Sequence, residues 1–189
     1  MSSIVISGDT SGAVTLSAPA VAGTTTLTLP ATSGTVLTTA STAVVTQAML
    51  STNVAGNGPT FSAYQSSAQT LSSNTVTKLT FTTEEFDTNN NFASSTFTPT
   101  VAGYYQVNAG MEVSSSSTGM ILYVFKNGSN YKKLTNANPA SITGLNGSAL
   151  VYCNGSTDYI EIYGLIATGQ ALVAASTTTY FQAAMVRSA

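Results

Sequence analysis

The sequence contains no histidine, no tryptophan and a single cysteine, and only 6% of it is charged: five Lys and Arg against seven Asp and Glu. Without histidine the commonest general base and the commonest transition-metal ligand are missing, and neither a Ser-His-Asp nor a Cys-His arrangement can be assembled. Cys153 has no intrachain disulfide partner. It sits in the strand-like run SALVYC, which reads as a buried inert thiol rather than a nucleophile. A typical soluble domain is about a quarter charged, so the shortage here needs a reason. Disorder is excluded, because disordered chains are poor in apolar residues and rich in charge, whereas this one is 43% hydrophobic. The remaining reading is a β-protein whose Ser, Thr and Asn supply the polar surface. The scattered cations Lys78, Lys126, Lys132, Lys133 and Arg187 form no basic stripe, which argues against a nucleic-acid partner. No apolar run reaches the about 18 residues of a transmembrane helix, so no membrane partner is expected. The opening MSSIVISGDTSG has neither the basic nor the apolar region of a signal peptide. The expectation is a protein made in a cytoplasm and not sent through the general secretory route.

What is present first is a repeat. Gly12, Gly23 and Gly34 recur at a fixed interval, Pro19 and Pro30 keep the same spacing, and Leu16 and Leu27 hold the register in SGAVTLSAPAV, AGTTTLTLPAT and SGTVLTTASTA. Thr, Val and Pro at this density oppose helix, so each unit is a short strand closed by a turn. Such units cannot bury an apolar face singly, and they make sense as a β-stalk wound from several copies of the chain. Val14, Leu16, Leu27, Leu29 and Val36 are its candidate attachment-strand residues. Residues 40–50 could form one or two helical turns, and STNVAGNGP, ending at Pro59, reads as a linker. The expected organisation is a stalk and linker over residues 1–58 and a second domain over residues 59–189.

Beyond Pro59 the texture changes, and all nine Tyr and all seven Phe lie between Phe61 and Phe181. Tyr105, Val107, Ala109, Met111 and Val113 alternate with Gln106, Asn108, Gly110 and Glu112, the period of a strand with one buried face. MILYVF (residues 120–125) is apolar on both faces, which predicts a strand sandwiched or placed at a subunit interface. Asn127-Gly128 carries the strongest short hairpin signal, and Asn146-Gly147 and Asn154-Gly155 repeat it. Each of the three opens an Asn-Gly-Ser sequon, read here as a turn rather than a glycosylation site. Loops are expected at 114–119, 136–147 and 167–170. About eight to ten short strands at turn spacing predict a sandwich or barrel.

The pieces FSAYQSS, TVTKLTF, FDTNNNF, FTPTVAGYYQVNAGMEV, LVYCNGSTDYIEIYGL and TYFQAAMV, in that order from Phe61 to Val186, resemble the C1q/TNF-like jelly roll. Phe97-Thr98-Pro99 through Gly103-Tyr104-Tyr105 is similar to that family's Phe-x-Pro…Gly-x-Tyr signature. The N-terminal repeats resemble the Thr/Gly/Pro-rich repeats of tailed-phage fibres and other virion surface proteins. The resemblance implies an all-β fold, a C1q/TNF-like jelly-roll β-sandwich with an N-terminal β-repeat stalk, assembled as a homotrimer about a threefold axis. Tyr105, Tyr123, Phe125, Tyr163 and Tyr180 are the candidate trimer-packing residues.

Candidate chemistry is sparse. Glu84, Glu85 and Asp87 form the acidic cluster, a calcium reading against the blander one of a solvated loop. Paired carboxylates for glycoside cleavage would have to come from Glu112 and Glu161, both better read as surface or interface residues. No glycine cluster stands between a strand and a helix to hold phosphate. Tyr131, Tyr152, Tyr159, Tyr163 and Tyr180 could offer sugar-stacking faces. No catalytic residue, cofactor or metal is expected. The function these readings favour is a virion structural protein, a trimeric capsid decoration or cement protein whose partners are its own copies and the major capsid protein or another virion protein. The alternative is a short tail-fibre head that recognises a host surface glycan.

Overall fold

The computed structural model describes residues 3–7, 10–17 and 55–189, together with the single positions 21, 23, 24, 26, 31 and 50. In chain order the strands are β1 (Ser3–Ser7), β2 (Ala13–Ser17), β3 (Thr60–Tyr64), β4 (Thr70–Leu71), β5 (Thr77–Lys78), β6 (Thr83–Asp87), β7 (Phe92–Ala93) and β8 (Thr96–Phe97). They continue with β9 (Ala102–Ser117), β10 (Met120–Lys126), β11 (Ser129–Ala137), β12 (Ile142–Asn154), β13 (Ile160–Ile166), β14 (Gln170–Ala171) and β15 (Tyr180–Ser188). Among the described residues the only helical element is a 3₁₀ turn at Ala55–Asn57. The chain divides into two compact units, Met1–Val44 and Val45–Ala189.

In the first unit β1 and β2 form an antiparallel hairpin, with Ser3 opposite Ser17 and Ser7 opposite Ala13. β2 is the strand of the first sequence repeat, and it follows directly on Gly12, whose φ is 80°. Consecutive strand residues point to opposite faces, so the exposure of Ile4, Val5 and Ile6 leaves the hairpin apolar on both sides. The side chains of Val14 and Leu16 lie outside the described residues, as do Leu27, Leu29, Val36, the second and third repeat strands and the expected helical turns at 40–49.

The second unit is an all-β sandwich. One sheet has the order β12-β9-β15-β3-β6. The other has the order β11-β10-β13-β8-β7, with β5 added on β13. β14 and β4 make a small two-stranded cover. The alternation read in β9 is the observed one: Tyr105, Val107, Ala109, Met111 and Val113 are buried, and Tyr104, Gln106, Asn108 and Glu112 face outward. The two sheets are joined by a phenylalanine cluster. Phe61 stacks on Phe92 and Phe97 at 4.6 and 4.5 Å and meets Phe181 edge-on at 4.8 Å. The Phe97…Tyr105 signature closes on itself, since the two rings meet at 5.5 Å and the Tyr105 hydroxyl donates to the Val101 carbonyl at 2.7 Å.

Asn127-Gly128 is the expected hairpin turn, with φ of 54° and 74°, and Asn154-Gly155 leaves the end of β12 with Gly155 at 72°. Asn146-Gly147 is a correction, because it lies inside β12, paired with Gly110 and Ala109. Gly147 is there for close approach: a Cβ would stand 2.6 Å from Thr135 Oγ1 and 2.8 Å from Leu134 Cβ. The expected loops at 114–119 and 136–147 are mostly strand, as β9 runs on to Ser117 and β12 begins at Ile142. Of the expected loop at 167–170, residues 167–169 stand between β13 and β14, and Gln170 opens β14.

Candidate functional site: the outer face of the five-stranded sheet

Five strands set out one solvent-facing lattice. Outward residues of β9 stand beside those of β12 and β15, with Tyr104 opposite Tyr152 and Arg187, Gln106 opposite Leu150 and Ala184, and Asn108 opposite Ser148 and Gln182. Gly110 is opposite Asn146 and Tyr180. The lattice is apolar at one end and polar at the other.

The apolar end is where the chain enters and leaves the sandwich. The Met185 amide donates to the Pro59 carbonyl, and the Ala189 amide donates to the Ala102 carbonyl. There Tyr104, Leu150, Tyr152 and Val186 are 40, 45, 39 and 48% exposed. They line, with Arg187, a cleft of about 660 Å³. The Tyr104 and Tyr152 rings meet at 5.4 Å. Large apolar side chains left open together, rather than singly, mark a contact surface.

The polar end carries Asn108, Glu112, Asn146 and Tyr180 over two adjoining hollows of about 350 and 250 Å³. Glu161, the other carboxylate considered from sequence, lies on the outside of the opposite sheet. It takes a 2.7 Å salt bridge from Lys78 and hydrogen bonds from Thr96 and Tyr163. Glu112 and Glu161 therefore do not converge on one reacting bond. Burial, then the neighbouring Glu161 carboxylate, pushes the Tyr163 hydroxyl above the usual phenol range.

The five aromatics expected to pack a trimer do not form one group. Tyr105 is a correction: it is wholly buried inside its own sandwich, where it has no surface to offer a second chain. Burial pushes its hydroxyl well above the phenol range. Tyr123, Phe125 and Tyr163 share the outer face of the six-stranded sheet and pack on one another, Phe125 stacking on Tyr163 at 3.8 Å. Tyr180 alone stands on the five-stranded face. Tyr104, Leu150 and Val186 are residues that sequence reading missed, and Tyr152 was singled out there only as a sugar-stacking face. The signal was available, since the alternation that buries Tyr105 turns Tyr104 outward.

The acidic cluster divides among separate partners. Glu85 accepts from the Ser62 hydroxyl at 2.6 Å, and Asp87 accepts from the Asn89 and Phe92 amides. No group of metal-ligating side chains is found among the described residues. Cys153 is buried, and its thiol is pushed up to about 12, mainly by burial.

No protein-family model and no curated protein matches the chain in sequence. Solved structures match its fold. The globular domain of zebrafish complement 1qA superposes with a TM-score of 0.54 at 18% identity, covering 70% of this chain and all of that one. Murine APRIL superposes with a TM-score of 0.55 at 10% identity, covering 68% of this chain and 98% of that one. The second unit thus has the C1q/TNF-like jelly-roll fold.

Proposed function

We propose that the protein is a homotrimeric structural head, carried on a virion as a capsid decoration protein and attached through residues 1–58. The observation that carries the self-association is the open apolar end of the five-stranded sheet, at Tyr104, Leu150, Tyr152 and Val186. A face of this kind in a chain with 6% charge is stable in water when covered. A second copy of the chain is the occupant the fold favours, because C1q/TNF-like heads assemble as trimers. The β1-β2 hairpin, apolar on both sides, needs a cover in the same way. The virion setting rests on the Thr/Gly/Pro repeats ahead of the head and on the low surface charge, which suits many copies packed side by side. No catalytic role belongs to this reading, since the sequence has no histidine and Glu112 and Glu161 stand on opposite faces.

Light scattering on the full chain at micromolar concentration tests the first part, with three times the mass of the 19.3 kDa chain expected and a monomer mass refuting it. Copy number tests the second: hundreds per particle mean decoration and a handful mean a fibre. The tail-fibre reading, in which the head recognises a host glycan, is favoured by the polar hollows at the other end of the same sheet. Adding residues 59–189 alone to particles lacking the protein tests attachment, since binding as tight as that of the full chain would place it in the head.

A further inference from the structure

The few charges of the second unit are sorted by sign. Two ion pairs, Lys78–Glu161 and Lys126–Asp158, are closed within the chain. Among the described residues no other is made, and the cations and acids left over are kept apart. Lys132 belongs to β11, the edge strand of the six-stranded sheet, which lies beside β12 of the other sheet. Its amine donates to the Leu150 carbonyl at 3.4 Å, which places a positive charge at the rim of the open apolar end. Glu84 and Glu85 belong to β6, the opposite edge of the five-stranded sheet. β12 and β6 are four strand spacings apart, about 19 Å.

The acidic flank also has an apolar group. Glu85 is the extra residue of a β-bulge, between Glu84 opposite Ala63 and Phe86 opposite Ser62. Its carboxylate takes the Ser62 hydroxyl, and Phe86 next to it is 51% exposed. Each flank therefore presents one large apolar side chain with one charge: Leu150 with Lys132, and Phe86 with Glu85. The two sets also stand at nearly one height. Leu150 lies in the row that runs through Gln106 and Ala184 to Thr60, and Phe86 lies opposite Ser62, two residues or about 7 Å further along β3.

We infer that the β11–β12 flank of one head docks on the β6 flank of the next, Leu150 against Phe86 and Lys132 against Glu85. Complementary patches on opposite flanks let each copy offer one to the copy before it and the other to the copy after it, the condition for a closed ring. An edge-to-edge twofold contact through either flank would set like charge on like. The apolar pair supplies buried area, and the ion pair at its rim fixes which flanks meet rather than how tightly. The inference rests on the homotrimer proposed above and names the contact that closes it.

The experiment is charge reversal on the full chain, with mass followed by light scattering over a dilution series and folding followed by circular dichroism. Lys132→Glu and Glu85→Lys should each raise the concentration at which the trimer falls apart about tenfold or more, because each sets like charges together. The double variant Lys132→Glu/Glu85→Lys should restore the trimer. Lys133→Glu makes the same change one residue away, but the Lys133 amine lies over Tyr123 on the other sheet, so the trimer should persist. Geometry is tested separately by Leu150→Cys/Phe86→Cys under copper-phenanthroline oxidation. Chains should link up to three, and neither single cysteine variant should link. A trimeric wild type indifferent to Lys132→Glu and Glu85→Lys, a double variant that is not rescued, or Lys133→Glu as damaging as Lys132→Glu overturns this contact and leaves the trimer standing. Links that stop at two chains, or that form in a single variant, also overturn it. A monomeric wild type refutes the trimer and the contact together.

Discussion

The outer face of the six-stranded sheet carries Tyr123, Phe125 and Tyr163, and that of the five-stranded sheet carries Tyr104, Tyr152 and Tyr180. On the first face the aromatics stack on one another, Lys133 lies over the Tyr123 ring at 5.9 Å, and Lys78 and Glu161 neutralise each other at 2.7 Å. On the second face Tyr104, Leu150, Tyr152 and Val186 are open to solvent, and Asn108, Glu112 and Asn146 have no side-chain partner among the described residues. Residue type is nearly the same on both, so composition does not separate them. Whether the chain has already supplied each side chain with a partner does. A face whose groups are paired internally is finished as a solvent surface, and one whose groups are left open is built for something else.

Four measurements sharpen or break that contrast, in falling order of their effect on the stability of the head. Phe61 belongs to neither face and sets the scale. It is 1% exposed among Phe92, Phe97 and Phe181, and Phe61→Ala should cost about 3–5 kcal/mol in urea unfolding. Lys78→Met on the finished face leaves the Glu161 carboxylate, 11% exposed, with only the Thr96 and Tyr163 hydroxyls. A loss of about 1–2 kcal/mol is expected, and an unchanged oligomer mass. If the mass falls, the paired face is also a contact surface and the contrast fails.

Asp158 gives the third. The Asn127 amide first, then Lys126, hold its carboxyl below the usual carboxylate range. A depressed folded value stabilises above the unfolded pKa of about 3.9, and that contribution is lost as the pH falls through the folded value. Asp158→Asn should therefore flatten the decline in stability below about pH 4, read by urea midpoints across pH. An equally steep decline would show that the turn network does not carry it. The smallest effect on folding and the largest on assembly is expected from Leu150→Lys. A surface change of this kind alters folding by about 0.5 kcal/mol or less, yet a charge at the centre of the open end should drop the mass to that of a monomer with the circular dichroism of the folded head retained. An unchanged trimer would remove the open patch from the interface.

The inward half of the fold was legible because period two and burial coincide in β9, and because Asn127-Gly128 has no other use than a turn. Asn146-Gly147 carries the same letters, and its place inside β12 is decided by how closely β11 passes, which no local pattern records. Ser114–Ser117 read as a loop because serine is a weak strand former. It is strand because the end of β9 pairs with the start of β12, Ser117 standing opposite Ile142, and the Gln170 side-chain oxygen accepts from the Ser115 amide at 2.8 Å. Two-residue strands such as β4 and β5 exist only through partners far along the chain, β14 and β13. The candidate site was half visible. Tyr180 and Glu112 were singled out from sequence, but the ring laid over Gly110 depends on which strands are neighbours, and β9 and β15 are far apart in the chain.

Cys153 has a practical consequence. Its thiol is buried and protonated at any physiological pH, so oxidants cannot link folded heads through sulfur. The same isolation makes it a reporter. An alkylating reagent reaches the sulfur only in a head that has opened, and where reclosing is faster than labelling the rate follows the open population. Labelling the protein at concentrations above and below its self-association would then read how much assembly steadies each head.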